Sequence, residues 1–160
     1  MSQISNFYDG LFPRSKFDLP ADAPNVEDVR HLTRDPSILK FYTFMGQTAV
    51  IPKTVTVYGT EYRKGHILIL GKQSLGVLKV GIVRAIGYSK NEVSFGLSTY
   101  KAKQSKYGYY VSTKSKSHLQ DEVVKHSELW DYHPLELIGS ESCFIFILHH
   151  FVSEHTGNIG

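Results

Sequence analysis

Apolar positions along this chain follow two periods, and the change of period divides it. In residues 21–46 they recur three and four apart. Val26, Val29 and Leu32 fall near one face of a short helix. Asn25 can cap it, with Glu27 and Asp28 in the first turn, where carboxylates meet the positive end of the helix dipole. Asp35-Pro36 restarts a second helix, with Asp as cap and Pro at the first position. Ile38, Leu39, Tyr42 and Met45 make its apolar stripe, and Gly46 ends it. The stripe is expected to pack on a sheet; docking a partner is the alternative use of such a face.

From Thr48 onward the apolar residues alternate or form short β-branched runs between Gly and polar turns, the pattern of a β meander. Lys53–Leu97 organises it, with Val55 and Val57 alternating, the Lys64-Gly65 turn pair, the run Ile67–Leu70, and two more runs split at Ser89-Lys90-Asn91. Strands are expected over 48–51, 54–58, 66–70, 77–86, 92–99, 107–112 and 143–152. Pro52 suits a strand end, since it cannot donate to a ladder. Gly81 inside a long run predicts a bulge or sharp bend. Ser112–Ser117 reads as a polar loop. Leu119–Glu136 reads as one helical turn or an irregular crossing, stopped by Pro134. Cys143–Val152 is bounded by Gly139 and Gly157 and reads as a buried closing strand, with Phe144, Ile145, Phe146 and Ile147 inside. Residues 1–20 hold Phe7, Tyr8, Leu11, Phe12 and Phe17 without a period, which predicts an irregular arm laid across the domain.

The expected fold is therefore α+β: a strongly bent, mostly antiparallel β-sheet or small β-barrel with an N-terminal helical pair packed on it. The arm occupies 1–20, the helical segment 21–46 and the barrel 47–156, all in a single domain. At 160 residues such a chain can bury a core without staples. Its one cysteine, Cys143, excludes an internal disulfide and is expected as a buried, inert thiol. The N-terminal residues lack a signal pattern, and no apolar stretch reaches the ~20 residues that span a bilayer. These features predict an intracellular protein, nuclear or cytoplasmic, with no membrane partner.

Charge changes the picture more. The net value is +3, yet Val93–Gln120 contains no Asp or Glu and five Lys, so the remainder of the chain carries −2. In this window Lys101, Lys103, Lys106, Lys114 and Lys116 interleave with Tyr100, Tyr107, Tyr109 and Tyr110. Lys neutralises phosphate and exposed Tyr stacks on unpaired bases, so Lys101, Lys103, Lys106, Tyr107, Lys114 and Lys116 are candidates for binding nucleic acid or another anion. A hairpin with solvated lysines, or an acidic protein partner, accounts for the same pattern. The five lysines are expected on one exposed face.

Catalytic signatures are sparse. There is no G-x-S-x-G, no Walker or Rossmann glycine loop, and nothing beside Cys143 to lower its pKa. His149, His150 and His155 cluster, but adjacent strand residues face opposite ways, and a zinc site needs three or four converging ligands. Asp121, Glu122, Glu128, Asp131 and Glu136 read as a solvated acidic face. No catalysis, cofactor or metal is expected. Tyr58, Tyr62, Trp130 and Tyr132, with the carboxylate of Asp131, are instead candidates for an aromatic cage. Such rings attract a quaternary ammonium such as methylated lysine.

The order of these pieces resembles the bromo-adjacent homology (BAH) module of chromatin proteins. Val57-Tyr58-Gly59 through Arg63-Lys64-Gly65-His66-Ile67-Leu68-Ile69-Leu70 is similar to its opening strand, turn and short apolar strand. Val80-Gly81-Ile82-Val83-Arg84-Ala85-Ile86 is similar to the strand that follows. Glu128-Leu129-Trp130, Pro134–Gly139 and Cys143–Ile147 resemble its later elements. The family's aromatic-Arg-Pro signature is replaced by Thr99-Tyr100-Lys101-Ala102-Lys103, and residues 21–46 have no fixed counterpart. The chain is also similar to β-rich regions of animal transposon-derived proteins, a likeness that implies no activity. The BAH resemblance implies a non-enzymatic interaction barrel for a protein partner such as a histone tail or nucleosome. A nucleic-acid-binding β domain using the Lys/Tyr window is the alternative.

Overall fold

The computed structural model describes residues 17–113, 118–140 and 143–148. Two antiparallel sheets carry the fold. A small sheet joins β1 (Phe17–Asp18), β2 (Thr54–Val57) and β3 (Thr60–Arg63) in that order. The large sheet runs β4 (Ile67–Ser74), β5 (Val77–Ser89), β6 (Glu92–Gln104), β7 (Tyr110–Thr113), β10 (Cys143–Phe146) and β9 (Ile138–Ser140), and β8 (His118–Lys125) also pairs with β6. β6 is the hinge of the arrangement. One edge pairs with β5 along its length, while the other meets β8 at Ser94–Tyr100 and β7 at Lys103-Gln104. A strand that serves two neighbours on one edge must bend between them, and the β8 register shifts between Ser98 and Tyr100. An isolated bridge, Ile67 with Leu135, ties β4 to the segment before β9, but among the described residues the sheets do not close into a barrel.

The helical segment forms as its caps dictate. Asn25 accepts from the Asp28 N–H, while the Asp28 carboxylate accepts from the Asn25 N–H, a reciprocal cap on α1 (Val26–Val29). A 3₁₀ turn over Arg30–Leu32 follows and breaks the expected face, so Val26 is buried whereas Leu32 is exposed. Asp35 caps α2 (Pro36–Met45) by accepting from the Ser37 N–H and hydroxyl. Those bonds, led by the hydroxyl and helped by Arg84, hold its carboxyl below the usual range. The buried stripe of α2 is centred on Phe41 and Tyr42, with Ile38 and Met45 beside them, and Leu39 lines an outward hollow. Phe41 lies against Gly96, where an added Cβ would sit 3.0 Å from the ring, so α2 rests directly on the sheet backbone.

Three apolar clusters fill the interior. Ile67, Ile69, Val80, Ile82, Tyr100, Phe144 and Phe146 belong to the first, inside the curl of the long sheet. Val55, Val57, Tyr62, Leu68, Phe95 and Leu97 form the second, between the two sheets. Val26, Phe41, Tyr42, Ala49 and Ala85 form the third, under α2.

Several expectations are corrected. The arm ends in a strand: Phe17 pairs with Val57 and sets its ring edge-on to Tyr88 at 5.2 Å, while residues 1–16 lie outside the described residues. Residues 48–51 reduce to a bridge at Val50, because Pro52 cannot extend a ladder. β3, β8 and β9 are strands that the pattern missed. Gly81 makes no bulge: an added Cβ would lie 2.9 Å from Leu97, so the glycine admits a neighbouring side chain, and the shift falls between Val83 and Ala85. β10 alternates, so Phe144 and Phe146 face inward while Cys143 and Ile147 are exposed. The end of the expected closing strand, 149–152, lies outside the described residues, as do His149, His150 and His155.

Candidate binding site

Where the small sheet meets the start of β6, aromatic rings line a cavity of about 340 Å³. Its wall is Phe17 from β1, Tyr58 from the β2–β3 turn, Tyr62 from β3, His126 from the 3₁₀ turn His126–Glu128, and Tyr132 beyond it. Glu92, the first residue of β6, supplies the carboxylate.

Each piece is placed by local geometry. Tyr58-Gly59 is a two-residue hairpin loop with φ of 50° and 84°, the paired positive values that a type I′ turn needs. The tight loop projects the Tyr58 ring onto the cavity lip, where it is 57% exposed. Lys90-Asn91, with φ of 54° and 65°, makes the equivalent turn before Glu92. The Ser127 N–H donates to the Glu92 carboxylate at 3.3 Å.

Tyr62 is the post of the site. Its ring is fully buried, 5.2 Å from Phe95, and its hydroxyl donates to the Tyr132 carbonyl at 2.6 Å. That bond uses the only phenolic proton, so His126 Nε2, 3.2 Å away, carries a hydrogen and donates to the Tyr62 oxygen. The tautomer of His126 is thereby set. Burial, with Asp131 and Tyr132 nearby, pushes the Tyr62 phenol well above its ordinary pKa, so it remains a neutral donor. His126 stands edge-on to Tyr62 at 5.4 Å and stacks on Tyr132 at 5.0 Å, 23° from parallel. Tyr132, 48% exposed, completes the lip. Preset rings beside one carboxylate form a surface of negative potential, suited to a cation with an apolar shell.

Of the five cage candidates, Tyr58, Tyr62 and Tyr132 come together here. Trp130 does not: it packs against the core cluster of Ile67, Tyr100 and Phe144. Asp131 is fully buried, and its Oδ1 accepts from the His133 N–H at 3.1 Å and lies 2.9 Å from His133 Nδ1. Phe17, His126 and Glu92 were not singled out in the sequence; the turn signal before Glu92 was visible, but nothing linked it to Tyr58.

The acidic residues expected as one solvated face go to separate contacts. The Ser98 hydroxyl donates to Asp121, and Glu122 pairs with Lys79 at 2.6 Å. Burial opposes the charge on Glu122, but bonds from Lys79 and Gln120 outweigh it and hold its pKa low. Glu128 accepts from the Lys125 N–H, and Glu136 meets Arg63 at 2.7 Å and His66 at 3.3 Å. Among the described residues, no group of three His, Cys, Asp or Glu is placed to hold a metal ion. No described helix is long and apolar enough to cross a membrane.

Lys101, Lys103 and Lys106 are exposed on β6 and the loop after it, with Tyr107 at the tip; Lys114 and Lys116 lie outside the described residues. Compared with protein-family models, curated proteins and solved structures, the chain matches none.

Proposed function

We propose that this protein is a non-enzymatic binding module that takes a methylated ammonium group, carried on a protein partner, into the Tyr58–Tyr62–Tyr132 cavity. The supporting observation is the convergence of five rings, Phe17, Tyr58, Tyr62, His126 and Tyr132, on that cavity, with Glu92 as its carboxylate. A methylated lysine is an apolar-sheathed cation. Ring faces attract it by cation–π interaction, worth about 0.5–2 kcal/mol depending on desolvation, and bind a neutral isostere less well. Glu92 adds a hydrogen-bond acceptor for a methylammonium that retains a proton. The reading agrees with the resemblance to the BAH barrel, and with it a histone tail or nucleosome is the first partner to test, in a nuclear setting.

Titration calorimetry with histone-tail peptides bearing unmodified, dimethylated and trimethylated lysine tests it. At least one methylated peptide should bind better than its unmodified form, and Tyr132→Ala or Tyr58→Ala should abolish the preference. A trimethyllysine peptide and its neutral tert-butyl isostere bound equally well would remove cation–π recognition. Absence of any methyl-dependent binding would overturn the proposal.

A further inference from the structure

A second surface, distinct from the aromatic cavity, is formed by the distal half of β6 and the β6–β7 loop. We propose that it binds single-stranded nucleic acid, with little sequence preference.

The first ground is charge. Apart from Glu92, no Asp or Glu occurs from Tyr62 to Gln120, which covers β4, β5, β6 and β7. Glu92 sits at the opposite end of the β5–β6 hairpin, beside the turn Lys90-Asn91. At the distal end, Lys101 lies opposite Lys79 and Lys103 opposite Val77, so Lys101 and Lys103 share the outward face. Two residues along a strand are separated by about 6.7 Å, which suits successive backbone phosphates. Glu122 neutralises Lys79, but Lys101, Lys103 and Lys106 form no ion pair among the described residues. Lys101 and Lys103, two residues apart on one strand face, lie within about one Debye length and reinforce each other's potential.

The second ground is the loop itself. Ser105 N–H donates to the Tyr109 carbonyl at 2.7 Å, Gly108 N–H to the Ser105 carbonyl at 3.2 Å and Tyr107 N–H to the Ser105 hydroxyl at 3.1 Å. The Gln104 N–H donates to the Gly76 carbonyl and ties the loop to the neighbouring β4–β5 turn. The loop thus holds its rings in place before any ligand arrives. Tyr107 is 73% exposed, near-parallel to Tyr109 at 6.3 Å, with the Lys106 ammonium 5.2 Å from its ring centre. A flat exposed ring beside a row of lysines offers stacking and phosphate neutralisation together, the pairing that unpaired nucleotides use. An acidic peptide would use only the charge. An anionic lipid surface would use the charge and Leu75, which is 98% exposed on the adjoining turn, and would not need the ring stack. No Arg lies among these residues, so base-edge readout is not built in.

Fluorescence anisotropy with a labelled thymidine 20-mer at two salt concentrations tests this, with a duplex of equal length and phosphatidylserine vesicles in parallel. The single strand should bind better than the duplex, with affinity falling by a log–log salt slope near −2, about −0.7 for each of three phosphates. Tyr107→Ala should weaken binding by about 5- to 150-fold, the range for one stacked base, and leave the salt slope unchanged. A triple Lys→Gln variant at 101, 103 and 106 should flatten the slope and lose at least tenfold in affinity, with thermal stability matching the parent; a triple Glu variant should lose more. Failure to bind the single strand at low salt overturns the proposal. So does equal binding of duplex, or vesicle binding that needs Leu75 while Tyr107→Ala leaves the oligonucleotide affinity intact.

Discussion

Removing one oxygen atom tests the architecture of the aromatic cavity. In Tyr62→Phe the ring remains, 5.2 Å from Phe95, and the second core cluster keeps its volume. What goes is the donor to the Tyr132 carbonyl at 2.6 Å and the acceptor for His126 Nε2 at 3.2 Å. Each neutral bond contributes about 0.5–1.5 kcal/mol net, and a buried group left unmatched costs about 1–3 kcal/mol. Tyr132 is half exposed, so water can replace part of what its carbonyl loses, which sets the sum at about 1.5–3 kcal/mol. For a chain of this size 1 kcal/mol moves Tm by about 2–4 °C, so a fall of roughly 3–12 °C is expected. Urea denaturation should show a lower midpoint with an unchanged slope, since the surface exposed on unfolding is the same. The cavity should suffer too: Tyr132 and His126 lose their shared tether, and re-ordering two rings on binding costs about 0.5–1.5 kcal/mol each, about tenfold in affinity for one to two rings. A stability loss under ~0.5 kcal/mol would show that the hydroxyl holds neither partner, and the preset lip would have no basis.

The remaining predictions concern the frame around it. His66 is buried and its Nδ1 accepts from the Arg63 N–H; burial, then Arg63, lowers its pKa against the pull of Glu136. The unfolded chain therefore takes up a proton first, so stability should fall as pH drops through 6.5 toward the lower folded value, and His66→Gln should flatten that slope in pH-dependent melts. Gly139→Ala should cost about 1–3 kcal/mol, because φ is +108° and the new Cβ would meet the Cys143 carbonyl oxygen at 2.8 Å. Gly87→Ala should cost less than about 1 kcal/mol, since what it meets at 2.7 Å is the flexible end of Met45. Phe146→Ala should cost about 3–5 kcal/mol by denaturation, as befits a fully buried ring in the core of the long sheet.

How much was legible in the sequence follows from which rule governed each segment. The caps at Asn25 and Asp35 and the Lys90-Asn91 turn are local chemistry, and they stand where the residues indicated. β5 and β6 were legible as strands but not to their full thirteen residues each: the expected runs stop before 87–89 at the turn end of β5 and before 100–104 at the distal end of β6, where buried Tyr100 and Ala102 alternate with exposed Lys101 and Lys103. β8 escaped because Val123-Val124 are adjacent rather than alternate; what makes it a strand is the long pairing with β6, which joins residues as far apart as Ser94 and Lys125. Trp130 and Tyr132 were joined as the two rings that flank the Asp131 carboxylate. Asp131 instead turns inward and accepts from the N–H two residues on, an Asx-type turn that rotates the chain between the rings. One ring goes to the core and the other to the cavity.

Tyr58 carries the same point from the opposite direction. A type I′ loop favours Asn-Gly, since both central residues need positive φ and a side chain beyond Asn is strained there, by about 1–2 kcal/mol in the left-handed region. The chain places Tyr at that first position with φ of 50°. Lys90 at 54° shows that the frame tolerates one such residue in a turn with no ring to present, so tolerance alone does not single out Tyr58. The difference is where the side chain goes: Tyr58 faces Phe17, Tyr62 and Tyr132 across a cavity and leaves most of its ring exposed. Exposed apolar area at a strained position gains the fold little. On the proposed function it would offer a ligand a ring already in place, and local strain that folding does not reward is where a binding surface is to be sought.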